Sequence, residues 1–331
     1  PQFIDFNSNY KNYAAFNSVE SEQLSYDSAA EAITLLKNKN SILPLKKGVK
    51  ILVSGPNSNS MRTLNGAWTY SWQGEKADKF AEKYNTIYEA ILEDFGENNV
   101  THIPGVSYPL NQDYDKIPKY EYYDQFEDNM LEAIEEAKKS DVVILCIGEN
   151  SYTEKPGDLN DLNLNSLQKK LVKELSKTST PIILVINSGR PRIISDIAEL
   201  ADGIINIYLP GNQGGNALSD VLTGEVNPSG RLPYSYPSFV NSLVPYNYKP
   251  SDIQNNSQGA YNYVGKVQNL FEFGFGLSYT SFEYDNIIIN KNNFTKNENI
   301  EISIKIENSG TKAGKETVQL YSKDHYASIT P

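Results

Sequence analysis

Residues 141–158 read Asp141-Val142-Val143-Ile144-Leu145-Cys146-Ile147-Gly148-Glu149-Asn150-Ser151-Tyr152-Thr153-Glu154-Lys155-Pro156-Gly157-Asp158. The unbroken apolar run Val142 to Ile147, bounded by Asp141 and Gly148, has the length and β-branched content of a strand buried on both faces. Such strands belong to parallel sheets with helices on each side. In those folds, loops leaving the carboxyl ends of strands carry the ligand sites. This loop holds two carboxylates, Glu149 and Glu154, the aromatic Tyr152, and glycines that let the backbone bend. Read alone, it is either a solvated acidic loop or the seat of a carboxyl that donates a proton.

The flanking sequence extends the alternation. Residues 21–38 read as an amphipathic helix, with Leu24, Ala29, Ile33 and Leu36 at helical spacing. Strands are expected at 50–53, 100–103, 142–147, 181–186 and 203–209. Helices are expected at 86–95, 125–139, from Asn165 through Leu167, Leu171 and Leu175, at 192–200 and at 215–222. Strands alternating with helices predict an α/β fold: a three-layer α/β/α sandwich with a largely parallel sheet and right-handed crossovers.

After Gly224 the pattern changes. Residues 225–280 are rich in Pro, Tyr, Asn and Ser and read as an extended connector packing on the sandwich. Beyond it, strand-like alternation at 284–289, 300–307 and 317–321 reads as the start of an all-β domain. An immunoglobulin-type sandwich needs about seven strands, so this one is incomplete within the chain. The expected organisation is an N-terminal linker at 1–20, the sandwich at 21–224, the connector at 225–280 and the β domain at 281–331.

Composition bounds the function. The 331 residues suffice for about two domains. The formal net charge of -11 opposes binding to nucleic acid, which requires a basic surface, and to an anionic membrane. No run approaches the roughly 20 apolar residues of a membrane helix. The lone cysteine, Cys146, lies inside the apolar run and reads as a small buried hydrophobe. The start, Pro1-Gln2-Phe3-Ile4-Asp5, has neither an initiating Met nor a signal-peptide core, as expected of a piece of something longer or a processed product.

Other motifs carry less chemistry. Trp68-Thr69-Tyr70-Ser71-Trp72-Gln73-Gly74 contains both tryptophans, which serve either as packing residues or as faces on which sugar rings stack. Gly211-Asn212-Gln213-Gly214-Gly215-Asn216 opens a helix. It lacks the Lys-Ser/Thr of a phosphate loop and the register of a dinucleotide loop, so close helix packing explains it better. Asp158 to Asn163 superficially looks like a calcium loop, but Gly is missing at the sixth position and Lys169 stands at the twelfth. Asn163 or Asn165 reads instead as a helix N-cap. His102 and His325 lack neighbours at metal-ligand spacing, and no G-x-S-x-G elbow is present.

In order, these pieces resemble glycoside hydrolase family 3, the β-glucosidase and exo-β-glucanase family, in its C-terminal half. The matching stretches are Ala29 to Asn38, Leu43-Pro44-Leu45, Gly55-Pro56, Trp68 to Gly74, the Glu154 loop, Ser188-Gly189-Arg190-Pro191, Pro210 to Gly215 and Asp220 to Pro233. Phe273-Gly274-Phe275-Gly276-Leu277-Ser278-Tyr279-Thr280 is similar to the signature preceding the family's fibronectin-type-III-like domain, and Val318-Gln319-Leu320-Tyr321 to a strand within it.

The resemblance implies a retaining, exo-acting β-glucosidase that removes terminal non-reducing β-D-glucosyl residues from β-glucans or oligosaccharides. An N-terminal (β/α)8 barrel, not found in this chain, would supply the nucleophilic Asp. The acid/base role maps onto Glu154, a structural role onto Glu149, and a leaving-group-side sugar contact onto Trp72. Trp68 and Tyr152 complete the implied substrate contacts. No metal or cofactor is implied, and the chain alone is expected to be inactive. The substrate class implies a periplasmic or secreted enzyme. Xylosides remain open as substrates. A non-catalytic carbohydrate-binding module is the alternative, and a flavodoxin-like nucleotide binder ranks last.

Overall fold

The structure, a computed structural model, describes residues 18–109, 125–242 and 269–322. Ser18 caps the first helix, α1 (Val19–Ala32), by accepting the Ser21 N–H at 3.2 Å. The strand β1 (Thr34–Asn38) follows, then β2 (Ile51–Ser54), α2 (Met61–Asn65), α3 (Ala77–Phe80) and α4 (Ile87–Phe95), whose start is a Thr86–Glu89 capping box. Next come β3 (Val100–His102), β4 (Gly105–Ser107), β5 (Phe126–Asp128), α5 (Met130–Ala137), β6 (Val142–Gly148) and α6 (Ser166–Ser176). Asn165 caps α6, accepting the Leu167 N–H at 2.8 Å. The series continues with β7 (Ile182–Asn187), α7 (Ser195–Ala198), β8 (Gly203–Asn206) and α8 (Gly214–Thr223). It ends with the short strands β9 (Tyr236–Pro237) and β10 (Asn269–Phe271) and the hairpin β11 (Phe282–Ile289) and β12 (Ile302–Asn308).

A six-stranded sheet in the order β1-β8-β7-β6-β2-β3 forms the centre. All its pairings are parallel except β1 against β8. Successive side chains of a strand point to opposite faces, and β6 shows the consequence. Val142, Ile144 and Cys146 enter a core shared with α1, α2, α4 and α8. Val143, Leu145 and Ile147 enter a second core shared with α5, α6 and α7. The result is a three-layer α/β/α sandwich.

Five expectations need correction. The helix expected over 21–38 ends at Ala32, and Thr34–Asn38 is an antiparallel edge strand, so the sheet has six strands rather than five. Ile33 and Leu36 do fit a helical spacing. However, Leu35 is buried in one core and Leu36 in the other, a division that alternation in a strand provides and one helix face does not. The helix expected over 125–139 starts at Met130, because Phe126–Asp128 pairs with Gly105–Ser107. The helix expected over 192–200 shrinks to Ser195–Ala198, and the strand expected over 203–209 stops at Asn206, before Tyr208 turns to φ 53°. Residues 317–321 form no strand, and Val318, Leu320 and Tyr321 are exposed.

The linker expected at 1–20 lies largely outside the described residues, although α1 already includes its last two positions. Residues 243–268 of the expected connector also lie outside them. Its described parts pack against the sheet edge: the Leu277 N–H donates to Leu35 O at 2.7 Å. The Asn227 side chain holds Tyr279 N and Ala313 O at 2.7 and 2.9 Å. Arg231 pairs with Glu316 at 2.6 Å, tying the segment after β12 to the connector.

Candidate active site

The carboxyl ends of β2, β6 and β7 share one rim of the sheet, and the site is built there. Gly148 ends β6 with φ 151°, where a Cβ would stand 1.9 Å from Asn187 O, so only glycine fits between the strands. Buried Gln168 brackets this residue: its Oε1 accepts the Gly148 N–H at 2.8 Å and its Nε2 donates to Gly148 O at 3.0 Å. Buried Asn57 donates to Glu149 O at 2.9 Å and to Asn187 Oδ1 at 3.0 Å. The Tyr108 hydroxyl donates to Asn57 Oδ1 at 3.0 Å. The loop therefore leaves the sheet from a fixed base.

The two carboxylates of the loop lie in opposite environments. Glu149 is buried, and its Oε1 accepts Arg190 Nε and Nη2 at 3.1 and 2.7 Å and Arg192 Nη1 at 3.0 Å. Its Oε2 accepts the Ser188 hydroxyl at 2.6 Å. A carboxylate so fully engaged holds the β6 and β7 loops together and has no free face for a reacting atom. Glu154 is exposed. Its Oε1 accepts the indole N–H of half-buried Trp72 at 3.1 Å.

The backbone at Glu154 is unusual. Its φ of 53° and ψ of -151° precede a single 3-10 turn, Lys155–Gly157. Such conformations cost a non-glycine residue roughly 1–3 kcal/mol and persist only where the surroundings impose them. On the N-terminal side, buried Gln73 accepts the Thr153 N–H at 3.0 Å and donates to Thr153 O at 3.1 Å. On the C-terminal side, Arg190 Nη1 donates to Gly157 O at 2.6 Å.

Trp72 thus meets Glu154 from a neighbouring loop, and Tyr152 stands two residues before Glu154 in its own loop. One ring face of Tyr152 is covered by Arg190, whose Cζ lies 3.8 Å from the centroid, and the Gly157 backbone packs so closely that a Cβ there would come within 2.5 Å of the ring. Trp68 shares the Trp72 loop, donating its main-chain N–H to Trp72 O at 3.1 Å, and the residue is 67% exposed. No group of His, Cys, Asp and Glu able to hold a metal occurs among the described residues.

Sequence reasoning missed Gln73, Gln168, Arg190 and Arg192. Only Gln73 and Arg190 stood inside quoted motifs, and neither position signals a partner so distant along the chain. The glycine-rich start of α8 is a packing site: a Cβ on Gly215 would lie 2.4 Å from Asn85 O.

Residues 33–279 match the model of the glycosyl hydrolase family 3 C-terminal domain, and the chain belongs to that family. It is 34% identical over 332 aligned residues to a lysosomal beta glucosidase of Dictyostelium discoideum, covering 95% of this chain and 37% of that protein. It is also 34% identical to a beta-xylosidase of Formosa agariphila, covering 94% of this chain and 41% of the relative. A solved β-glucosidase structure from Erythrobacter marinus superposes with a TM-score of 0.73 at 28% identity, covering 90% of this chain and 40% of the other. The chain thus spans about two fifths of the length of these relatives. It carries the family's C-terminal domain, with an α/β sandwich fold.

Proposed function

We propose that the chain supplies the general acid/base half of a retaining, exo-acting β-glucosidase, with Glu154 as the acid/base. The nucleophilic Asp comes, in this reading, from a (β/α)8 barrel domain outside these residues. The observation that carries the proposal is the contrast between the two loop carboxylates: Glu149 is consumed by two arginines and a serine, whereas Glu154 is exposed with a single indole N–H on Oε1.

That hydrogen bond supports a division of roles between the two oxygens. With Oε1 accepting the indole N–H, Oε2 is in this reading the oxygen that carries the acidic proton to the glycosidic oxygen. In retaining hydrolysis the two carboxyl groups stand about 5–5.5 Å apart; one attacks and the other protonates the departing oxygen. Once ionised, Glu154 takes a proton from the water that cleaves the glycosyl-enzyme. Trp72 offers the leaving-group sugar an aromatic face, and Trp68 and Tyr152 line the approach.

The residues from 281 onward begin a fibronectin-type-III-like sandwich in this reading, and the enzyme acts in the periplasm or outside the cell. β-Glucosides are the favoured substrates, with β-xylosides as the alternative. By itself the chain has no turnover, because protonation without a nucleophile leaves the oxocarbenium-like transition state unstabilised.

The test is Glu154→Gln in the intact enzyme, assayed on β-linked oligosaccharides. A loss of about 10²–10⁴-fold is expected. Unchanged hydrolysis would mean that the domain binds carbohydrate without taking part in proton transfer.

A further inference from the structure

We propose that Gln73 is a positioning residue of the general acid/base, fixing the main chain that carries Glu154. This rests on the assignment of Glu154 above. A glutamine amide has one acceptor and one donor end, and Gln73 spends both on a single residue, Thr153, directly before Glu154. The neighbouring Trp72 binds the Glu154 carboxylate itself. One dipeptide, Trp72-Gln73, thus sets both the backbone entering Glu154 and the direction of its carboxyl.

Gln73 is itself held. Its carbonyl accepts the Ser151 hydroxyl at 2.6 Å, and Ser151 Oγ accepts Arg62 Nε at 2.8 Å. The following residue, Gly74, has φ 80°, and a Cβ there would meet Gly66 O at 2.4 Å. The clamp is thereby tied, outside the loop it holds, to Arg62 and to the Gly66 backbone. Without it, the strained φ of 53° at Glu154 has no restraint on its N-terminal side from Gln73, and the residue relaxes. A carboxyl misplaced by about 1 Å costs on the order of 100-fold in a step that needs it.

Gln168 supplies an internal control. It brackets Gly148 by the same two bonds, but at the start of the loop, away from Glu154. Gln73→Met and Gln168→Met each keep side-chain length and remove the bonds. Gln73→Glu keeps an acceptor toward Thr153 N–H and removes the donor.

The experiment measures kcat/KM of the intact enzyme on phenyl and 2,4-dinitrophenyl β-glucosides. The phenyl leaving group needs protonation and the dinitrophenyl group does not. The ratio of the two rates in one preparation is independent of the folded fraction, so an unstable variant remains informative. Q73M is expected to lose about 10–100-fold on the phenyl glucoside and less than about 3-fold on the dinitrophenyl glucoside. Q73E should shift the ratio in the same direction, and Q168M, which acts only at the base of the loop, should shift it less than Q73M. Equal losses on both substrates in Q73M and Q73E, with Glu154→Ala still selective for the phenyl glucoside, overturn the role of Gln73 alone. Equal losses in Glu154→Ala overturn the acid/base assignment and this inference with it.

Discussion

Replacing Glu149 should destabilise the fold rather than abolish proton transfer. Its side chain is 6% exposed, against 24% for Arg190 and 10% for Arg192. Glu149→Ala removes the carboxylate that Arg190 and Arg192 share and the carboxylate acceptor of the Ser188 hydroxyl. Arg192 bears this worst, because its Nε is buried without a hydrogen-bond partner among the described residues. Breaking a buried ion pair from one side costs about 3–5 kcal/mol. At about 2–4 °C per kcal/mol for a domain of this size, Tm should fall by roughly 6–20 °C. The assay is thermal unfolding of the purified chain, with the double variant Glu149→Ala/Arg192→Met recovering part of the loss. A shift of less than about 2 °C would refute the view that Glu149 is the bracket between the β6 and β7 loops.

Further outcomes are expected at Trp72, Glu154 and His102. Trp72→Phe in the intact enzyme keeps an aromatic face and removes the indole N–H, so it should impair the phenyl glucoside more than oligosaccharide binding. Trp72→Ala should weaken both, with the stacked sugar worth about 1–3 kcal/mol by analogy with stacking on aromatics; KM and kcat on the two substrates separate the effects. Glu154→Gly should melt higher than Glu154→Ala, by the equivalent of about 1–2 kcal/mol, because only glycine adopts φ 53° with ψ -151° without strain; equal melting points would show that the backbone relaxes. His102, packed on Tyr88 at 4.6 Å and bonded to Ser58 at 2.9 Å, has its pKa pushed below the ordinary 6.5 by burial, against the opposing pull of Asp128. The unfolded chain therefore binds the proton first, so the His102 contribution is complete above about pH 6.5 and is lost as pH falls toward the depressed folded value. His102→Asn should flatten the pH dependence of denaturant midpoints over that window, and an unchanged slope would contradict it.

The parallel core of the sheet was legible because its strands are unbroken apolar runs. A strand buried on both faces has no competing pattern at that length, as Val142–Gly148 shows. The edge strand Thr34–Asn38 was not legible, because Ile33 and Leu36 satisfy a helical period as well as a strand. Only pairing with Gly203–Asn206, far along the chain, decides between them. The Glu154 loop and the Trp72 loop were readable as places for chemistry on one sheet edge, but the side-chain clamp between them was not. It is made by Gln73, a residue with no periodicity or motif of its own, reaching Thr153 across the rim of the sheet. The difference between Glu149 and Glu154 was likewise invisible locally. It comes from Arg190 and Arg192 on the next strand's loop, which bury one carboxylate and leave the other to solvent.

The most direct test of Glu154 as the acid/base uses azide as a nucleophile that needs no general base. In the intact enzyme, Glu154→Ala on 2,4-dinitrophenyl β-glucoside should accumulate the glycosyl-enzyme. Added azide should speed turnover and yield β-glucosyl azide, identifiable by NMR. Glu149→Ala should gain nothing from azide and form no such product. If azide instead rescues Glu149→Ala and leaves Glu154→Ala unchanged, the two carboxylates have been assigned the wrong way round.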